Sequence, residues 1–124
     1  MAHNFTWEND GVYWRFNGVL TTPDLIIANS ELIGHKSFDS IKYIIWDATE
    51  IDTANVDEIA VEISTTFAVT VNPYNPFIKV ALLARDKHLR DLIEQYIDLT
   101  LEQVPHAQQK LFENISDARA WVSS

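Results

Sequence analysis

Two nearly unbroken apolar runs constrain this chain more than any other feature. Residues 41–47 read Ile-Lys-Tyr-Ile-Ile-Trp-Asp, and residues 77–84 read Phe-Ile-Lys-Val-Ala-Leu-Leu-Ala. A strand with one solvated face alternates apolar and polar side chains. Runs without that alternation fit strands covered on both faces, the usual condition of a parallel sheet. Between the two runs, Val56, Ile59, Ala60, Ile63 and Phe67 recur at helical spacing, which predicts a helix over about 56–70. Asn55 with Glu58 three residues on reads as its capping box. Asn72-Pro73-Tyr74-Asn75-Pro76 then breaks the chain before the second run.

The flanking segments complete the pattern. Residues 5–8 and 12–16 surround Asn9-Asp10-Gly11, a hairpin signal in which Gly11 can take a positive φ. Trp14 and Phe16 fall on one face of the second strand, with Tyr13 and Arg15 on the other. This strand is expected to continue to Val19 and Leu20, with Gly18 marking a bulge or a close backbone approach. Thr22, Pro23 and Asp24 read as N-cap, first-turn proline and dipole-facing acid of a helix that stops at Gly34. Asp86 caps a third helix with Leu89, Leu92, Ile93 and Tyr96 on one stripe, ending before Pro105. A short strand at 110–112 leads to Ser116 as cap of a last helix over 117–122, where Ile115, Ala118, Trp121 and Val122 face inward. The order is β-β-α-β-α-β-α-β-α. It predicts an α/β fold over residues 1–124: an opening β-hairpin, then βα repeats, in one domain with a mostly parallel sheet of four or five strands and about four helices.

Composition excludes several classes of function. The chain has 124 residues, is 47% hydrophobic and carries a formal net charge of −9. That length suits one core, and that charge disfavours binding nucleic acid or an anionic membrane surface. No run approaches the ~20 apolar residues of a membrane-spanning helix. The first residues lack the basic and apolar regions of a signal peptide, so a cytoplasmic location is expected. Without cysteine there is no thiol chemistry. The three glycines form neither a P-loop nor a dinucleotide fingerprint. His3, His35, His88 and His106 lack metal-ligand spacing and read as solvated surface residues. No nucleophile or acid–base pair emerges by type and spacing, so neither an enzyme nor a cofactor or metal is expected.

In a parallel sheet, ligands belong at the carboxyl ends of the strands. The residues expected there are Thr21, Thr22, Asp47, Thr49, Asp52, Thr53, Arg85 and Asp86, with Glu113 and Asn114 beside them. Three readings compete: helix caps and a self-bonded loop, a carboxylate cation site, and a ligand- or partner-binding edge. Thr53 is a candidate phosphosite, since a phosphate there would add about −1.5 to −2 charge beside a helix N-terminus. Asp52, Asp57 and Glu58 oppose that added charge. The aromatic complement of four Trp, four Tyr and six Phe is large. Trp14, Phe16, Trp46, Phe67 and Trp121 fall at core positions. Tyr74 and Phe77 form a candidate apolar patch for a partner or a homodimer, or else fold back over the sheet edge.

Three segments carry a family resemblance: Phe16-Asn17-Gly18-Val19-Leu20-Thr21-Thr22-Pro23-Asp24, Ile44-Ile45-Trp46-Asp47, and the stretch from Leu111 to Val122 with its Ala118-Arg119-Ala120-Trp121 helix. Together with the element order, they resemble the STAS-like family, whose best-known members are bacterial anti-sigma-factor antagonists. They look closest to the SpoIIAA-like branch of uncharacterised bacterial proteins, sometimes grouped with CRAL-TRIO-type lipid-binding domains. Antagonists of that family carry Asp-Ser-Ser-Gly at the second helix, with a serine that a kinase phosphorylates. Here Asp52-Thr53-Ala54-Asn55 keeps the acid and one hydroxyl and lacks the second serine and the glycine. The resemblance implies a non-catalytic regulatory or ligand-binding module, and the first expectation is a regulatory module that binds a protein partner through the turns after the third and fourth strands and the exposed part of the second helix. The alternative, motivated by the aromatic surplus and the loop from Val71 to Phe77, is a domain that holds a small apolar or lipid-like ligand in a groove beside the sheet.

Overall fold

The computed structural model describes residues 2–124. β1 (Ala2–Trp7) and β2 (Gly11–Thr21) form the opening hairpin. Then come α1 (Thr22–Ile33), β3 (Tyr43–Asn55), α2 (Glu58–Val71), β4 (Lys79–Ala84), α3 (Lys87–Gln103), β5 (Gln108–Phe112) and α4 (Ile115–Val122). The five strands form one sheet in the order β1-β2-β3-β4-β5. β1 is antiparallel to β2, and every later pairing is parallel. The two apolar runs are neighbours pointing the same way, with Ile44 opposite Val80 and Trp46 opposite Leu82.

This order dictates the layering. Each crossover between parallel neighbours is right-handed, and the strands advance across the sheet in one direction. α1, α2 and α3 therefore cover the same face. α4 follows the last strand and turns back over the other. Each face has its own core. On the three-helix side Val12, Trp14, Phe16, Leu20, Ile44 and Val80 meet Ala28, Leu32, Val61 and Leu92. On the α4 side Ile45, Ala81 and Leu83 meet Ala118 and Val122.

Several expectations need correction. β3 does not end at residue 47 but runs on to Asn55, paired with β2 as far as Thr21 opposite Asn55. Ile51 and Ala54 pack against the three-helix core, and the eleven-residue β2 supplies a ladder for the extra length. The cap of α2 is consequently Asp57, whose carboxylate accepts from Ile59 N at 3.0 Å, rather than Asn55. Its buried stripe is rotated onto Ala60, Val61 and Thr65, and Ile59 is 58% exposed. The cap of α1 is Thr21 rather than Thr22, in a capping box with Asp24. Asn114, not Ser116, caps α4, and Ile115 stays 38% exposed.

Gly18 has φ +90° beside a register shift in β2, so the bulge is present. Gly11 has no positive φ. It is required there because a Cβ would run into the Tyr43 ring. His88 and His106 are exposed as expected, whereas His3 and His35 are partly covered. The His3 side chain is 5% exposed and 3.2 Å from Glu31, among the rings of Phe5, Trp14 and Phe16. His35 stacks on Trp7 with centroids 3.6 Å apart. His88 Nε2 donates to the Val56 carbonyl at 2.8 Å.

Candidate functional site

The expected rim does not assemble as one edge. Asp47, Thr49, Asp52 and Thr53 lie along a strand, not in a strand-to-helix turn. Asp47 and Thr49 flank Ala48, which pairs with Ala84 just before Arg85 and Asp86. Thr21, Thr22 and Thr53 sit at the far tip of the β2–β3 arm. Six residues of strand separate Asp47 from Thr53, roughly 20 Å at ~3.3 Å per residue. Thr21 and Asp86 are occupied as caps, Asp86 accepting from Leu89 N at 2.8 Å. Thr22 is the first residue of α1. Asp52, Thr53 and Arg85 are exposed. Because the parallel strands advance in one direction only, the sheet has no topological switch point, which is where strand-end crevices form.

Asp47 instead belongs to a polar cluster under α4. It is 5% exposed, accepts from the Tyr13 hydroxyl, and accepts from Thr49 N and Oγ1 at 2.9 and 2.6 Å. Burial and the Asp47 carboxylate push the Tyr13 phenol up to about 12. Beside it, the Arg119 guanidinium lies 5.3 Å from the Tyr13 ring centroid. Its two terminal nitrogens donate to Glu8 Oε1 and Oε2 at 2.6 and 2.8 Å, and the Tyr43 hydroxyl donates to Oε1 as well. Hydrogen bonds from Arg119 hold the Glu8 carboxyl below its usual value against the opposing effect of burial. Glu8, Tyr13, Tyr43 and Arg119 escape a reading of the sequence because they come from the β1–β2 turn, β2, β3 and α4. The alternation that put Tyr13 opposite Trp14 was the signal available for one of them. In this cluster every charged group has its partner, which suits anchoring α4.

The unfilled space lies on the other face. Between the sheet and the three helices is a crevice of two lobes, about 90 Å³ and about 70 Å³. By the same measure one water needs ~10–15 Å³. Asn29, Trp46, Ser64 and Tyr96 border both lobes, so the lobes share a waist. Its origin is local: α2 offers the first lobe only Ala60, Val61 and Ser64, facing Trp14 and Trp46 on the sheet. Small side chains on the helix opposite large rings leave volume that neither side fills. The walls are mostly aliphatic and aromatic. Trp14 Nε1, Thr100 Oγ1 and Gln109 Oε1 are buried polar atoms without a hydrogen-bond partner. Gln109 Nε2 donates to the Tyr96 hydroxyl at 2.7 Å. None of the residues expected at the strand ends lines either lobe.

Tyr74 and Phe77 are 70% and 79% exposed, so they do not fold back over the sheet edge. The loop holding them is fixed by Asn75, whose Nδ2 donates to the carbonyls of Phe38 and Ile41. No helix among the described residues is long and apolar enough to cross a membrane.

No protein-family model matches the chain, and no curated protein matches it. Among solved structures, it is similar to an uncharacterized protein of the DUF3478 family with a SpoIIAA-like fold, from Shewanella loihica PV-4. The two are 23% identical, with a TM-score of 0.51 over 98% of this chain and 92% of that one. The likeness shows the SpoIIAA-like fold that the sequence resemblance implied.

Proposed function

We propose that this chain is a non-catalytic binding module that holds a small, largely apolar molecule between the sheet and its three-helix layer. The observation that carries this reading is the two-lobed crevice bordered by Trp46 and Ser64. Concave, mostly apolar spaces with a few polar groups are the usual form of small-molecule sites. A neutral fluorescent probe, N-phenyl-1-naphthylamine, tests the reading. Its fluorescence is expected to rise on binding, and Ser64→Leu, which fills the waist, is expected to abolish the rise without lowering the melting temperature. A probe that ignores the unaltered protein, or binds the variant equally, would sink it.

A second reading has its own observation. Ile59, in the first turn of α2, is 58% exposed, and Tyr74 and Phe77 are more so. Apolar side chains held out of a core in this way suit a partner or a second copy of the chain. On this reading the protein is a regulatory interaction module, with exposed Thr53 and Arg85 as further candidate contacts. Sedimentation of the purified chain is expected to give a mass above that of a monomer, reduced to the monomer by Phe77→Ser.

A further inference from the structure

We propose that the crevice takes a neutral, predominantly apolar molecule, such as a medium-chain ketone or ester, and rejects carboxylates and phosphates of similar length. The inference rests on the ligand-binding reading above and narrows it to a chemical class.

Charge is the first ground. Among the described residues, neither lobe is bordered by Lys, Arg, His, Asp or Glu. An anion entering would lose its hydration and meet no cation in return. The ionisable group on the walls is Tyr96, and burial pushes its phenol up to about 12. The walls therefore stay uncharged throughout the neutral range.

The surroundings act in the same direction. α1, α2 and α3 together carry eight Asp and Glu side chains against Lys87 and Arg90. The layer through which a ligand must pass is thus strongly acidic, and its field repels anions before they reach the opening.

The Trp14 indole N–H and the Thr100 hydroxyl belong to wall residues but are themselves closed off from the space. The class of ligand is therefore set by the apolar, uncharged lining and not by those two atoms.

The test displaces N-phenyl-1-naphthylamine with 2-nonanone or with nonanoate near neutral pH. The ketone is expected to bind at least about tenfold more tightly than the carboxylate. Ser64→Leu, which fills the waist, is expected to weaken the ketone and the probe together. The ketone-to-carboxylate ratio in the unaltered protein does not depend on how that variant folds. Nonanoate binding as tightly as the ketone, or a ketone affinity indifferent to Ser64→Leu, overturns the neutral-ligand assignment while probe binding leaves the ligand-binding reading standing. If the probe itself does not bind, both fall.

Discussion

The two faces of the sheet are filled by opposite means. Under α4, a single short helix seats Ala118 and Val122 on Ile45, Ala81 and Leu83, and a linked set of charged and hydroxyl groups ties its remaining contacts. Under α1, α2 and α3 there is far more apolar surface, no charge on the cavity walls, and space left over. A cluster whose charged groups are all partnered is organised to stay as it is. On the reading proposed above, a face with volume to spare takes something else to complete it.

Paired substitutions put numbers on that contrast. Asp47→Ala would leave the Tyr13 hydroxyl and both Thr49 donors without their acceptor, and denaturant unfolding is expected to show a loss of about 2–4 kcal/mol. Thr100→Val on the opposite face removes a buried hydroxyl that bonds to nothing and keeps its shape. It is expected to be neutral or stabilising by up to about 1 kcal/mol. Equal losses at the two sites would erase the distinction between the faces.

Enlargement of small buried residues tests the same contrast by volume. Ala118 is fully buried against the sheet, so Ala118→Leu is expected to cost about 1–3 kcal/mol through overpacking. Ser64→Leu enters the waist of the crevice and is expected to change stability by less than about 0.5 kcal/mol, as the gain of filling offsets local strain. Chemical melts of the two variants side by side decide it.

The smallest effect is one of pH. Arg119 holds the folded Glu8 carboxyl below its ordinary value of 4.5. A lowered folded value contributes stability that is present above the unfolded value and disappears as pH falls through the folded one. The difference in melting temperature between the unaltered protein and Arg119→Met is therefore expected to shrink as pH drops from neutral to below about 4. Both side chains are partly exposed, so screening keeps the effect small. A difference that is constant with pH would mean that Arg119 acts by packing alone.

Much of this architecture was legible in the sequence, and the site was not. The apolar runs at 41–47 and 77–84 announced parallel neighbours, Asp86 announced its helix, and the Leu89–Leu92–Ile93–Tyr96 stripe faces the core as its spacing required. Each of those signals is local. β3 was cut short because Asp47 and the polar residues after it read as a turn. Thr49, Ile51 and Thr53 at alternate positions carried the strand signal that was overlooked. Once β3 ran on to Asn55, the rim built on Asp47 and Thr53 came apart. The crevice depends on how small residues of α2 stand against rings from two strands. That juxtaposition is set by crossover handedness and helix rotation, and the rotation of α2 away from Ile59 was not visible in its periodicity.

The indole N–H signals of Trp7, Trp14, Trp46 and Trp121, followed by proton–nitrogen NMR as 2-nonanone is added, test the central claim directly. Trp14 borders the crevice, and Trp121 packs on the α4 side, so one molecule contains both probe and control. The account predicts a saturable shift of the Trp14 indole with Trp121 unmoved. A shift at Trp121 with Trp14 unmoved would place the binding surface on the wrong face and contradict it.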